Sequence, residues 1–175
     1  RTATARLVLP VTPGPAARFG TLTVTGQPPF SARHVGNIAR FKPGDRFERS
    51  EVDDLRRALV ATGLVASVET RVVPRDSGRV VDIDVRLEPA PMRTIAGELG
   101  YGTGEGVRIE GSWQHRNFFN PEGALTVRGV LGTQEQLASV SLRRSNFRRR
   151  DQVLTGLISA SNVDRDAYAA RTFQL

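Results

Sequence analysis

Two hydrophobic periods divide the chain. In residues 17–90 the apolar positions follow both a twofold and a 3.6-residue repeat; from Met92 onward only the twofold repeat remains. Phe19, Thr21, Thr23 and Thr25 alternate with Gly20, Leu22 and Val24, which predicts a β-branched strand, ended by Gly26-Gln27-Pro28-Pro29. Ser31 is placed to cap a short helix with Val35 and Ile38 on one face. Lys42-Pro43-Gly44-Asp45 reads as a turn. Ser50, followed by Asp53, resembles a capping box in which Asp replaces Glu. Val52, Leu55 and Leu59 recur at helical spacing, a core-packing pattern, and Gly63 stands where a helix C′ glycine belongs. Residues 64–73 predict a second strand, and a turn closes at Gly78. In the third strand Val81, Ile83, Val85 and Leu87 alternate with Asp82, Asp84, Arg86 and Glu88, one face buried and one wet, until Pro89 and Pro91 stop it. Asp82 and Asp84 share the wet face with Arg86 and Glu88, so they read as solvated surface rather than a carboxylate pair with chemistry to do. The order is β-α-α-β-β.

Beyond Met92 come segments of about ten residues, weakly alternating and split by turn signals. Residues 93–102 are the first. Val107, Ile109, Gly111 and Trp113 alternate with Arg108, Glu110, Ser112 and Gln114. Asn120-Pro121-Glu122-Gly123 is a turn. Leu125, Val127, Gly129 and Leu131 alternate with Thr126, Arg128, Val130 and Gly132, and Ala138, Val140 and Leu142 with Ser139, Ser141 and Arg143. Residues 151–161 and 168–175 predict further strands. One apolar face and one face carrying Arg and Glu suit a transmembrane barrel, with lipid outside and a wet lumen inside. An antiparallel sheet with one solvated face gives the same alternation, and periodicity does not separate the two. So few strands do not close a barrel around water, and an open edge is untenable in lipid. A barrel would therefore lie mostly beyond Leu175.

Chemistry is sparse. The chain has no cysteine, which excludes thiolate zinc sites, disulfide scaffolds and cysteine nucleophiles. His34 and His115 assemble no nucleophile–base–acid set: the first lies in the short helix, the second has the apolar parity of a strand and reads as a packing or interface residue. Neither an enzymatic activity nor a cofactor is expected. Gly100, Gly102, Gly104 and Gly106 recur at every second residue, but a strand follows them rather than a phosphate-holding helix, and no Gly-Lys-Ser/Thr is present. Glycines on one strand face indicate instead a weak strand, a sharp hairpin or close approach of another surface. There are 25 Lys+Arg against 18 Asp+Glu. The excess is spread: residues 1–90 hold 14 basic and 10 acidic groups, residues 91–175 hold 11 and 8. A nucleic-acid partner is not expected from such a distribution. The one dense cluster, Arg143, Arg144, Arg148, Arg149 and Arg150, reads as a solvated turn, with anionic headgroups or phosphates as its functional alternative. No run of about 18 apolar residues exists. The chain begins at Arg1, and residues 7–11 read as the last strand of something upstream, followed by a proline-rich linker, so a piece of a longer protein is expected.

The β-α-α-β-β order with Gly44-Asp45, the capped helix and Thr62-Gly63-Leu64-Val65-Ala66-Ser67-Val68 resembles a POTRA domain, with Val65 where that family usually carries an aromatic. Gly100-Tyr101-Gly102-Thr103-Gly104-Glu105-Gly106, then Gly111-Ser112-Trp113 and Arg116-Asn117-Phe118-Phe119-Asn120-Pro121-Glu122-Gly123, resemble the start of an Omp85-superfamily barrel of the TamA-like branch. The resemblance covers about residues 17–175. It implies an α+β POTRA domain at 17–90, the first antiparallel strands of an incomplete transmembrane β-barrel at 91–175, and the end of a preceding POTRA-like unit with its linker at 1–16. It also implies the bacterial outer membrane, with the POTRA domain in the periplasm, and a non-enzymatic factor that templates insertion of client β-barrel or autotransporter proteins. The alternative within the superfamily is a secretion pore or surface antigen exporting a passenger or partner protein. Implied partners are outer-membrane lipid, client outer-membrane proteins and a periplasm-spanning protein at the POTRA domains. Two sites are implied: a lateral seam on the first barrel strand, at Thr94, Ile95, Ala96, Gly97, Glu98, Leu99, Gly100, Tyr101 and Gly102, and a strand-adding edge of the POTRA domain, at Ala66, Ser67, Val68, Glu69, Thr70, Arg71 and Val72. Val127-Arg128-Gly129-Val130 echoes the superfamily's Val-Arg-Gly-aromatic loop motif, but it sits on an early strand and lacks the aromatic, so that motif is expected past Leu175.

Overall fold

The computed structural model describes residue 10 and residues 16–103, 106–165 and 168–175. The expected strand at residues 7–11, apart from Pro10, and Gly104 and Glu105 of the glycine run lie outside the described residues.

Residues 17–90 form the expected α+β unit. Its elements are β1 (Arg18–Gly26), α1 (Ala32–Ile38), α2 (Arg49–Ala61), β2 (Val65–Arg75) and β3 (Val80–Pro89). The sheet order is β1-β3-β2, with β1 parallel and β2 antiparallel to β3. Val81, Ile83, Val85 and Leu87 of β3 are buried with Val35 and Ile38 of α1 and with Val52, Leu55 and Leu59 of α2. That is the whole helical stripe and the whole apolar side of the strand, removed from water together.

Local signals explain most boundaries. The Ser31 hydroxyl accepts from the His34 amide at 3.3 Å, as an N-cap should. Gly63 takes φ +68 after Thr62, whose hydroxyl donates to Leu59 O at 2.7 Å and accepts from the Leu64 amide at 3.2 Å. Ser50 does not cap. The helix starts at Arg49 after Glu48, which makes no side-chain cap bond. The chain enters there because the Phe47 amide donates to Ala17 O at 2.9 Å and its ring packs edge-on to Phe19. A tertiary tie thus outweighs the serine's preference.

Asp82 also departs from its expected solvated role. The β1–β3 register shifts between Phe19 and Leu22. Asp82 repairs that irregularity: Oδ1 accepts from the Thr21 amide at 2.7 Å and Oδ2 from Arg75 Nε at 2.6 Å. Gly20 is needed beside it, because a Cβ there would stand 2.1 Å from Oδ1. The Thr21 amide, and then Arg75, hold the Asp82 carboxyl below its ordinary range against the opposing effect of burial.

The described residues between 93 and 174 form a six-stranded antiparallel sheet in chain order. Its strands are β4 (Arg93–Gly102), β5 (Gly106–Phe119), β6 (Gly123–Gly132), β7 (Glu135–Arg144), β8 (Leu154–Arg165) and β9 (Tyr168–Gln174). β5 runs on to Phe119, up to the expected turn at residues 120–123, with a slip in the ladder to β6 between His115 and Phe119. The end of the sheet holding Arg93, Phe119 and Arg144 is its near end, next to the α+β unit. The Ala90 amide donates to Leu64 O at 2.9 Å and the Arg116 amide to Met92 O at 2.8 Å, so the short connection is pinned on both sides.

Leu55→Ala is expected to destabilise the α+β unit by about 3 kcal/mol, read as lost hydrogen-exchange protection at α2 and β3 amides. Because its folded pKa is depressed, Asp82 stabilises fully above about pH 4 and loses that contribution as pH falls through the lower folded value. Asp82→Asn should remove this acid-limb dependence from the protection of the β1 and β3 amides.

Candidate functional site

Sequence left open whether the second half is a soluble sheet or a barrel wall; side-chain placement shows which face is covered and which is bare. Ladder partners share a face. One face of the sheet carries Ile95, Leu99, Ile109, Trp113, Leu125, Val127, Leu131, Val140, Leu142 and Ile158. No described element packs against it: Ile95 is 80% exposed, Leu99 74% and Tyr101 78%. A soluble sheet would bury this face on a core, as β3 does on the helices. The opposite face is polar. There Arg128 grips Glu110 with two bonds, 2.5 Å from Nε and 2.7 Å from Nη2, and Arg108 adds a third at 3.2 Å. Val130, 1% exposed, is the only apolar side chain of the sheet that is fully buried among the described residues, and it lies on this polar side beside Leu137. The sheet is inside out relative to a soluble domain. β4 to β8 have 10 to 14 residues, and about 9–11 suffice to cross a bilayer when tilted.

The expected seam residues 94–102 all lie on β4, an edge strand that pairs only with β5. Its ladder to β5 runs unbroken from the Arg93/His115 pair to the Gly102/Gly106 pair, with side-chain packing reduced at the glycines. Gly97 faces Gly111, Gly102 faces Gly106, and Glu98 stands directly opposite Glu110, a like-charge pair. β9 is the other open edge among the described residues. In the α+β unit, residues 66–72 lie on β2, likewise an edge, with β1 as the opposite edge.

The near end holds a cluster that sequence reasoning missed. Glu122, in the β5–β6 turn, is 4% exposed and His34 7%. Oε1 of Glu122 accepts from His34 Nε2 at 2.6 Å, and both carboxylate oxygens accept from Asn146 Nδ2 at 2.9 Å. Asn117 completes the turn, its Oδ1 accepting from the Glu122 amide at 2.9 Å and its Nδ2 donating to Pro29 O at 3.0 Å. A second tie runs from the β7–β8 turn. Arg150 Nη1 donates to Ile38 O at 2.9 Å and to Asp54 Oδ2 at 2.6 Å, and Arg40 reaches Asp151 at 3.3 Å. Arg150, aided by Arg40 and Arg57, holds the Asp54 carboxyl below its usual range, although burial opposes it. The arginine cluster is therefore not one solvated turn: Arg150 is a docking residue, while Arg144 and Arg148 lie over the Phe147 ring. The only sequence trace of the clamp was a charged residue in the Asn-Pro-Glu-Gly turn, and nothing there named its partner.

His115 is a packing residue, as its parity predicts. It joins Trp113, Phe118 and Phe119 in an aromatic group at the near end, with ring centroids 4.9 to 6.3 Å apart. Aromatic girdles of this kind border the apolar band of outer-membrane barrels. No cluster of metal-ligating side chains exists among the described residues.

No known family model matches the chain. The fold is similar to that of solved structures. BamA from Haemophilus ducreyi lacking POTRA domains 1-3 superposes with a TM-score of 0.77 at 20% identity, over 90% of this chain and 31% of that one. CdiB from Acinetobacter baumannii gives 0.58 at 14% identity, over 84% and 28%. The chain thus spans about three-tenths of either structure. What the chain shares with them is the fold: a six-stranded up-and-down antiparallel sheet, not closed among the described residues, beside an α+β unit.

Glu122→Ala would leave His34 and Asn146 without their acceptor and cost about 2–3 kcal/mol. A double-mutant cycle with His34→Ala should return a coupling of about 1–3 kcal/mol; additive losses would mean the pair is not coupled. The Asp54–Arg150 tie should hold at neutral pH and loosen only as pH falls below about 4, since a depressed carboxyl stabilises above its unfolded value. Paired spin labels on α2 and the β7–β8 turn would read that distance against pH.

Proposed function

We propose that this chain is the membrane-proximal part of an Omp85-type outer-membrane assembly factor, TamA-like and non-enzymatic, which templates the insertion of client β-barrel or autotransporter proteins. In this reading residues 17–90 are the last POTRA domain, in the periplasm. Residues 91–175 begin a transmembrane barrel whose remaining strands follow, and β4 is one lip of its lateral seam. One observation carries the reading: β4 offers an unpaired backbone edge along a glycine-weakened strand, on a sheet whose apolar face is bare. Pairing along that open edge would be weak, because Gly97, Gly100 and Gly102 of β4 offer no side chains to pack across a seam. A client strand gains ladder hydrogen bonds there that lipid cannot supply. The free edge of β2 would take a periplasm-spanning partner by strand addition.

Backbone amides of successive strand residues point to opposite sides, so a proline scan separates the two functions of β4. In the full-length protein, proline at positions facing the open edge should cut client insertion at least tenfold and leave the barrel folded. Normal insertion in every folded proline variant, or in a protein lacking residues 93–102, would sink the seam.

A second reading in the same superfamily is a pore exporting a passenger or partner protein. It draws on the charged inner face, where Arg108, Glu110 and Arg128 would line a wet lumen. Steady ion conductance in a planar bilayer, without client insertion, would favour the pore; client insertion with a closed lumen favours the assembly factor.

A further inference from the structure

The β7–β8 turn uses only part of its charge to dock the α+β unit. Arg150 is spent on Asp54 and Ile38 O. Arg144 and Arg148 are not: among the described residues neither pairs with a carboxylate, and both guanidinium groups lie over one ring, 5.6 and 5.3 Å from the centroid of Phe147. Two cations on one aromatic ring repel each other, and the arrangement favours an anion between or beside them.

The turn is held in that shape. Asn146, Arg148 and Asp151 have φ of 50, 63 and 67, the left-handed region that residues with a Cβ seldom enter. Asn146 is fixed by Glu122 and by the Asp151 amide, which it receives at 3.1 Å, and the Phe147 amide is tied to Gln152 O at 2.9 Å. Strain of this kind persists where the surroundings over-determine it.

Ladder parity says where Arg144 stands, and Arg148 shares its ring in the turn that follows. Phe119, Gly123, Arg144 and Leu154 are successive partners across β5 to β8, and the next row inward is His115, Leu125, Leu142 and Gly156. Arg144 therefore lies on the apolar face, at its near-end border, between Phe119 and Leu154. An arginine there has its stem along apolar surface and its head at the level of lipid phosphates.

We propose that Arg144 and Arg148, stacked on Phe147, form a site for the phosphate of an anionic phospholipid in the leaflet next to the α+β unit. The inference rests on the barrel reading above. The Phe147 ring carries the guanidinium planes at the headgroup level, and the lipid phosphate bridges them with charge-assisted bonds. Because the same turn holds Arg150 on Asp54 and Asn146 on Glu122, the lipid would also brace the clamp.

The test reconstitutes the full-length protein into phosphatidylcholine vesicles with and without phosphatidylglycerol. Protein-bound phosphatidylglycerol is then counted by native mass spectrometry. The double variant R144Q/R148Q should lose phosphatidylglycerol affinity by about ten- to thirtyfold. R149Q, which removes an exposed charge of the same turn away from the ring, should change it less than threefold. Equal losses in the two variants would mean diffuse attraction and overturn the site, as would unchanged binding in R144Q/R148Q. If the protein inserts into both vesicles yet binds the two lipids alike, the site fails and the barrel reading stands. Failure to insert into either vesicle overturns the barrel reading and this inference with it.

Discussion

A carboxylate taken out of water must be surrounded by donors, and Glu122 meets that demand only by drawing on two distant segments. His34 comes from the first helix and Asn146 from the turn after β7. If either donor segment moved away, the charge would be left buried with too few partners. That requirement locks the α+β unit, the β5–β6 turn and the β7–β8 turn to one another. Arg150 on Asp54 repeats the same logic a short distance away. The contacts are polar, few and geometrically specific, so they set an orientation rather than bury area.

The two halves solve the hydrophobic problem in opposite ways. The α+β unit closes its apolar surface on itself, with Leu55, Leu59, Val85 and Leu87 fully buried. The six-stranded sheet leaves its apolar face bare and holds the cluster of Arg108, Glu110 and Arg128 on the other side. Such a sheet gains stability from its ladders and from whatever medium covers the bare face. A bilayer satisfies that need without another protein layer, and water does not.

One consequence of register is invisible along the chain. Gly97, Gly111, Gly129, Ala138 and Ala160 fall in a single row across five strands on the apolar face. A line of small residues lets a sheet coil more sharply than branched side chains would. The row ends at β4, the edge strand, where Gly97 faces Gly111.

The amino-acid sequence by itself determined the element order. Alternation placed β4 at residues 93–102 and gave β3 its buried side, helical spacing placed the Val52-Leu55-Leu59 stripe, and Ser31 and Gly63 marked their helix ends. These are local effects, each decided by neighbours within a turn or two. Tertiary structure decided the rest. Ser50 lost its cap to the Phe47–Ala17 tie, and Asp82 became the repair of a bulge instead of solvated surface. Alternation showed that the second sheet had an apolar face, but only the tertiary structure showed that no described element covers it. Glu122 and His34 were unreadable for the same reason: a buried charge is defined by its partner, and that partner lies 88 residues away.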